Sequence, residues 1–158
     1  MDGTMLRKIV WEEMLLADMR ANYFAELLRS YQAKDRWLRI ACLVASSGAV
    51  ATALTQLDVT AKLAAPILAT ATSFWLLISQ YGSLGRDAGD LQGSWAALGR
   101  DYERLWNNLS NSNSETTYHQ IYDRGEALSR AGAKFPNKKK RLSYWLDQAA
   151  ALATARYA

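Results

Sequence analysis

The chain is poor in the residues that usually carry chemistry: it has one cysteine, Cys42, one histidine, His119, and two prolines, Pro66 and Pro136. A lone cysteine excludes an intramolecular disulfide framework and a Cys-based zinc site. Set in an apolar segment, Cys42 reads as a small buried side chain. His119 stands among Tyr118, Gln120 and Tyr122 with no second histidine to complete a ligand set, so a surface or packing role is expected. There is no Gly-rich phosphate loop, nucleophile motif or paired-carboxylate constellation. No catalytic residue, metal or cofactor is therefore expected, and the chain does not read as an enzyme.

Charge is missing in one region only. The net charge of +4 is modest and Lys and Arg mingle with Asp and Glu, so composition does not call for nucleic acid as a partner. Between Ile40 and Gly85, however, only Asp58 and Lys62 are charged. The N-terminal stretch carries Glu12, Glu13, Asp18 and Glu26 and lacks the apolar core and cleavage pattern of a signal peptide, so any membrane targeting is expected from the internal segments.

Those segments run from Ile40 to Leu57 and from Leu63 to Gly85. As helices they would measure roughly 27 and 34 Å, and a hydrocarbon core is about 30 Å thick. The alternative, a soluble bundle burying both, would need flanks less charged than these. The short linker Asp58-Val59-Thr60-Ala61-Lys62 makes the two antiparallel neighbours. Lys34, Arg36 and Arg39 before the first span and Arg86 after the second outweigh Lys62 in the loop, which places both termini in the cytosol. Trp37 and Tyr81 would then lie at the inner interface, although ordinary packing explains them equally well.

Small residues recur every four positions at Ala41, Ala45, Ala49 and Ala53 and at Ala65, Ala69 and Ser73, a spacing that lets helices approach closely in lipid. The spans also carry Ser46, Thr72, Ser79 and Gln80, whose hydroxyls and amide either bond back to the helix or face water. Pro66, in the first turn of the second span, reads as a start signal.

Beyond the second span, Leu84, Ala88, Leu91, Trp95, Leu98, Tyr102, Leu105 and Leu109 follow steps of four and three, a heptad seam. With no loop signal between Tyr81 and Leu84, the second span is expected to continue into this seam as one rod. Gly82, Gly85, Gly89 and Gly93 weaken it unless close packing uses them. The N-terminal flank steps similarly through Val10, Met14, Ala17, Ala21, Phe24, Leu28, Tyr31 and Leu38. The two seams can pair within one chain or join protomers. Ser110 to Ser114 reads as a loop, Ser112 with Glu115 as a capping box, and a helix is expected to about Lys134. Gly132 and Pro136 end it, and a last helix over about 137–157 presents Leu142, Trp145, Leu146, Ala149 and Leu152 on one face. The run Lys138, Lys139, Lys140 and Arg141 opens that helix, where the dipole disfavours cations. Solvation, anionic lipid head groups and another acidic partner all remain open for it.

This order of parts resembles the SLATT family, two-transmembrane effector domains of bacterial conflict systems. The resemblance lies in the helix Tyr23-Phe24-Ala25-Glu26-Leu27-Leu28-Arg29-Ser30-Tyr31, the entry Lys34-Asp35-Arg36-Trp37-Leu38-Arg39, the Ala-rich hairpin and the long helix through Trp95, Tyr102 and Trp106. It is one of architecture, spans nearly the whole chain and has no catalytic signature to anchor it. It implies an all-α integral membrane protein forming one domain over 1–158. The parts would be a cytosolic helix at 5–37, transmembrane helices at 38–57 and 63–85, a cytosolic extension at 86–110 and C-terminal helices at 113–157. It further implies a homo-oligomeric pore-forming or membrane-perturbing effector in the bacterial inner membrane, lined by Ser46, Thr72, Ser79 and Gln80. Its partners would be the lipid bilayer and a separate sensor or nucleotide-signalling protein, since no sensing domain is attached. A membrane-anchored helical interaction platform is the competing reading.

Overall fold

A computed structural model of the chain describes residues 3–46, 71, 75, 80–111 and 113–157. Among these the fold is all-α. The helices are α1 (Gly3–Ser46), α2 (Tyr81–Asn107), α3 (Ser114–Gly132) and α4 (Lys139–Tyr157). The chain divides into two compact units, one of Met1–Leu27 with Asp87–Ala158 and the other of Leu28–Arg86.

The first unit is a four-helix bundle, and its contacts fix the helix directions. Trp11 meets Trp106 at 5.2 Å between ring centroids, and Arg20 lies 4.6 Å over the Trp95 ring. Rising numbers on α1 thus meet falling numbers on α2, as in antiparallel neighbours. On α3, Ser129 is hydrogen-bonded to Arg20 and Gly132 abuts Phe24, so α3 runs parallel to α1. α4 returns antiparallel to it, with Trp145 on Glu26 and Tyr157 on Trp11.

The core follows from the stepping of the sequence. On α1, Val10, Met14, Ala17, Ala21 and Phe24 are buried, and on α2 so are Ala88, Leu91, Trp95, Leu98, Tyr102 and Leu105. The α2 seam is therefore spent within the chain. Three other helices cover α1, so its buried arc is wider than one seam and takes in Met19, Tyr23 and Leu27. Leu28, assigned to the seam, is only half-buried, and Leu27 occupies the interior instead.

The helix ends differ from the sequence reading in informative ways. α3 starts at Ser114 with Asn113 as its cap residue and no side-chain cap bond. The expected capping role of Ser112 falls outside the described residues. Ser114 is buried and its hydroxyl serves the loop carbonyls of Asn108, Leu109 and Asn111. The helix ends at Gly132 rather than Lys134, and α4 begins at Lys139 rather than 137. Gly132 is not left-handed: a Cβ there would come within 3.0 Å of the Phe24 ring. Glycine is needed for close approach, not for a turn.

The expected single rod is interrupted. Gln80 has φ of 45°, the left-handed region, which no continuous α-helix admits. Its carbonyl accepts the backbone N–H of Ser83 and of Leu84 at 3.1 and 3.0 Å and the Ser83 hydroxyl at 2.8 Å, so α2 has its own start. Leu84 lies in the second unit and is half-buried rather than a core seam residue.

No helix among the described residues is long and apolar enough to cross a membrane. The segments 40–57 and 63–85 fall largely outside the described residues, as does the linker 58–62.

Candidate functional site

In the second unit, the described residues build an aromatic and cationic collar followed by an exposed apolar stripe. Tyr31 on α1 and Tyr81 at the start of α2 stack with centroids 6.2 Å apart and ring planes 24° apart. The Lys34 ammonium lies 5.9 Å from the first ring and 5.6 Å from the second, held by the negative faces of both. The two backbones meet closely here. A Cβ on Gly85 would touch Tyr31 Cβ at 3.7 Å, and one on Gly82 would touch Asp35 Oδ1 at 3.6 Å. Both are ordinary van der Waals distances, so the stacking of the tyrosines does not depend on glycine at either position. Asp35 also accepts a 2.8 Å bond from Arg39 one turn on.

Past this collar α1 turns apolar and presents large exposed side chains. Trp37 is 71% exposed and Leu43 70%, with Ile40 and Val44 exposed beside them.

The remaining sequence-derived residues are distributed unevenly. Gln80 is exposed and starts α2. Ser46 is the last residue of α1 and Ala45 lies just before it. Ala41 is exposed on α1. Thr72, Ser79, Ala49, Ala53, Ala65, Ala69 and Ser73 lie outside the described residues. Of the basic run, Lys138, Lys139 and Lys140 face solvent, whereas Arg141 pairs with Glu26 at 3.2 Å. His119 is exposed and packs edge-on against Tyr118 at 5.4 Å.

Sequence reasoning missed the collar, because a lysine over two tyrosines brought together from positions 31 and 81 has no local signature. It also missed Glu26, which anchors α4 by accepting from Trp145 Nε1 at 2.8 Å and by an ion pair with Arg141 at 3.2 Å. On α4 only Ala149 and Ala153 are buried; Leu152 is 66% exposed and Leu146 also points outward, so the expected apolar face is rotated toward the alanines. No group of acidic, His or Cys side chains suited to a metal ion occurs among the described residues.

No family model, curated protein or solved structure matches the chain.

Proposed function

We propose that this chain is a membrane-inserted helical effector of the SLATT type, whose hairpin over 38–57 and 63–85 crosses the bacterial inner membrane with both termini in the cytosol. Several copies assemble around an axis, since one helix pair cannot enclose water, and the assembly leaks ions when triggered. Ser46, Thr72, Ser79 and Gln80 line the path, and the small-residue stripes pack the spans. The observation that carries this reading is the apolar end of α1: Trp37, Ile40, Leu43 and Val44 are exposed and lead directly into a charge-free segment of bilayer length. The collar supports it as well, because Tyr31, Tyr81 and Lys34 are the residue types that favour a membrane interface. Lys138 to Lys140 add a patch for anionic head groups.

The second reading is a membrane-anchored platform without a pore. It is favoured by the outer face of α4, where Tyr144 and Leu152 are exposed, and not by the α2 seam, which is already buried. Membrane potential in bacteria during induced expression separates the two. Depolarisation is expected with the intact chain and is expected to vanish in a variant combining Ala45→Asp with Ala69→Asp that still reaches the membrane. Leakage and toxicity that persist in every span variant that inserts would exclude the pore.

A further inference from the structure

Among the described residues, the backbone is strained at a single side-chain-bearing position. Gln80 has φ of 45°, where Cβ crowds the neighbouring carbonyl and glycine alone is at ease. A residue that immediately precedes a helix ordinarily takes the extended region, so the left-handed turn is imposed from elsewhere. Local hydrogen bonding supplies little of that force. The 3.0 Å bond from the Leu84 N–H to the Gln80 carbonyl is the ordinary four-residue bond of an α-helix and fits a right-handed Gln80 equally well. Only the 3.1 Å bond from the Ser83 N–H, which spans three residues, belongs to a helix start.

The collar lies one residue further on. Side chains in a helix lean toward its N-terminal end. Were α2 to continue upstream through residue 80, the Tyr81 ring would lie along the preceding turn. With the chain turned away at Gln80, the ring is stacked on Tyr31 at 6.2 Å instead, and Lys34 lies 5.9 and 5.6 Å from the two rings. Both tyrosines are half-buried and Lys34 is exposed, so this clamp is a modest one. Opposing it are the strain at Gln80 and a sequence with no proline or loop signal between Tyr81 and Leu84. Opposed terms of similar size make an element with two arrangements.

We propose that residue 80 is a two-state joint latched by Tyr31, Lys34 and Tyr81. In the latched state Gln80 is left-handed and the tyrosines are stacked. In the released state Gln80 is right-handed, the tyrosines part and α2 extends upstream through residue 80. For its consequence the joint rests on the membrane reading above: a span over 63–85 is broken at residue 80 when latched and whole when released. The collar thus sets the direction in which the span leaves α2.

Dityrosine formation reads the latch. The full-length chain in detergent micelles receives a brief flash of ruthenium photo-oxidation, and the Tyr31–Tyr81 link is quantified by mass spectrometry. The reference is the Tyr118–Tyr122 link within α3, whose rings are 5.9 Å apart. Lys34→Gln should lower the Tyr31–Tyr81 yield and bring it into a range that residue 80 can tune. In that background Gln80→Gly and Gln80→Asn, which accept the left-handed region, should raise the yield. Gln80→Val, which does not, should lower it, with about fivefold or more between the glycine and valine variants. The asparagine variant separates left-handed preference from the looseness that glycine adds. Yields that ignore residue 80 or rise with valine overturn the proposal, and so does a glycine effect that asparagine fails to share. Neither insertion nor leakage enters this readout. A chain whose latch responds but which never depolarises cells loses the pore and keeps the joint, and the reverse outcome loses the joint alone.

Discussion

α2 and α4 belong to the same bundle and are held there by different materials. α2 contributes Leu91, Trp95, Leu98, Tyr102 and Leu105 to the interior, all buried. α4 buries only Ala149 and Ala153 and is tethered near its ends by polar contacts. Near its start, Trp145 and Arg141 converge on Glu26; near its end, Arg156 and Tyr157 converge on Glu103 at 3.1 and 2.9 Å. Burial of large side chains scales with area and is not screened by ionic strength. Tethers between half-exposed groups are worth little each and are screened. Within one fold, therefore, α2 should open only with the whole unit, and α4 should be able to open alone.

The sharpest break of this comparison is a deletion in the α2 seam. Tyr102 is 1% exposed and among the largest fully buried side chains. Tyr102→Ala should cost about 3–5 kcal/mol, by analogy with other large aromatic truncations, much of what a domain of this size possesses. Leu152→Ala, on the open face of α4, should change stability by less than about 0.5 kcal/mol. Denaturant unfolding of the full chain, followed by near-UV circular dichroism, reads both. Equal costs would mean that α4 is as much a core helix as α2.

A middle-sized effect is expected at Glu26. Glu26→Ala leaves the half-buried Trp145 N–H without its acceptor and Arg141 without its partner, a loss of about 1–2 kcal/mol. It should appear as roughly tenfold faster hydrogen exchange over α4 with α2 unchanged. Glu26→Gln keeps an acceptor for Trp145 and removes only the charge, so the effect should fall below about 1 kcal/mol. Exchange rising equally in α2 would show that the tethers stabilise the whole bundle and not one helix.

The same contrast explains what could be read from sequence. The α2 seam announces itself because Leu91, Trp95, Leu98, Tyr102 and Leu105 repeat at heptad spacing, and a repeat of large apolar residues has one economical burial. The all-helical character and the division after Leu109 were legible for related reasons, from periodicity and from a run of Ser and Asn. α4 was misread by part of a turn. Ala149 lies on the expected face and is buried, but Ala153, one turn further on, packs beside it while Leu152 stays outside, because Trp145 and Tyr157 are placed by glutamates on other helices. The break at Gln80 was invisible for the same kind of reason. Tyr81 stacks on Tyr31, so a tertiary contact overrides a continuous helical pattern.

The smallest effect ties the two helices together through Asp18. This half-buried carboxylate lies where α1 approaches α2 so closely that a Cβ on Gly99 would come within 2.9 Å of its Oδ1. Burial pushes the Asp18 carboxyl above its ordinary range; Arg156, from α4, pulls it down, and Glu103, from α2, pushes it up again. The folded chain therefore holds this proton more tightly than the unfolded chain does. The associated stability is fully present below the ordinary carboxylate range and is lost as pH rises through the raised value. Glu13, raised mainly by burial, adds a contribution of the same sign. Asp18→Asn should consequently be more stable than the parent at neutral pH, by a fraction of 1 kcal/mol given its solvent exposure, and should match it in acid. Arg156→Gln provides the decisive control. With the α4 cation gone, the carbon-13 titration of the Asp18 carboxyl should move to higher pH and the acid-side slope of stability should steepen. A titration indifferent to Arg156 would mean that α4 exerts no field at the α1–α2 contact, leaving its tethers to act on α4 alone.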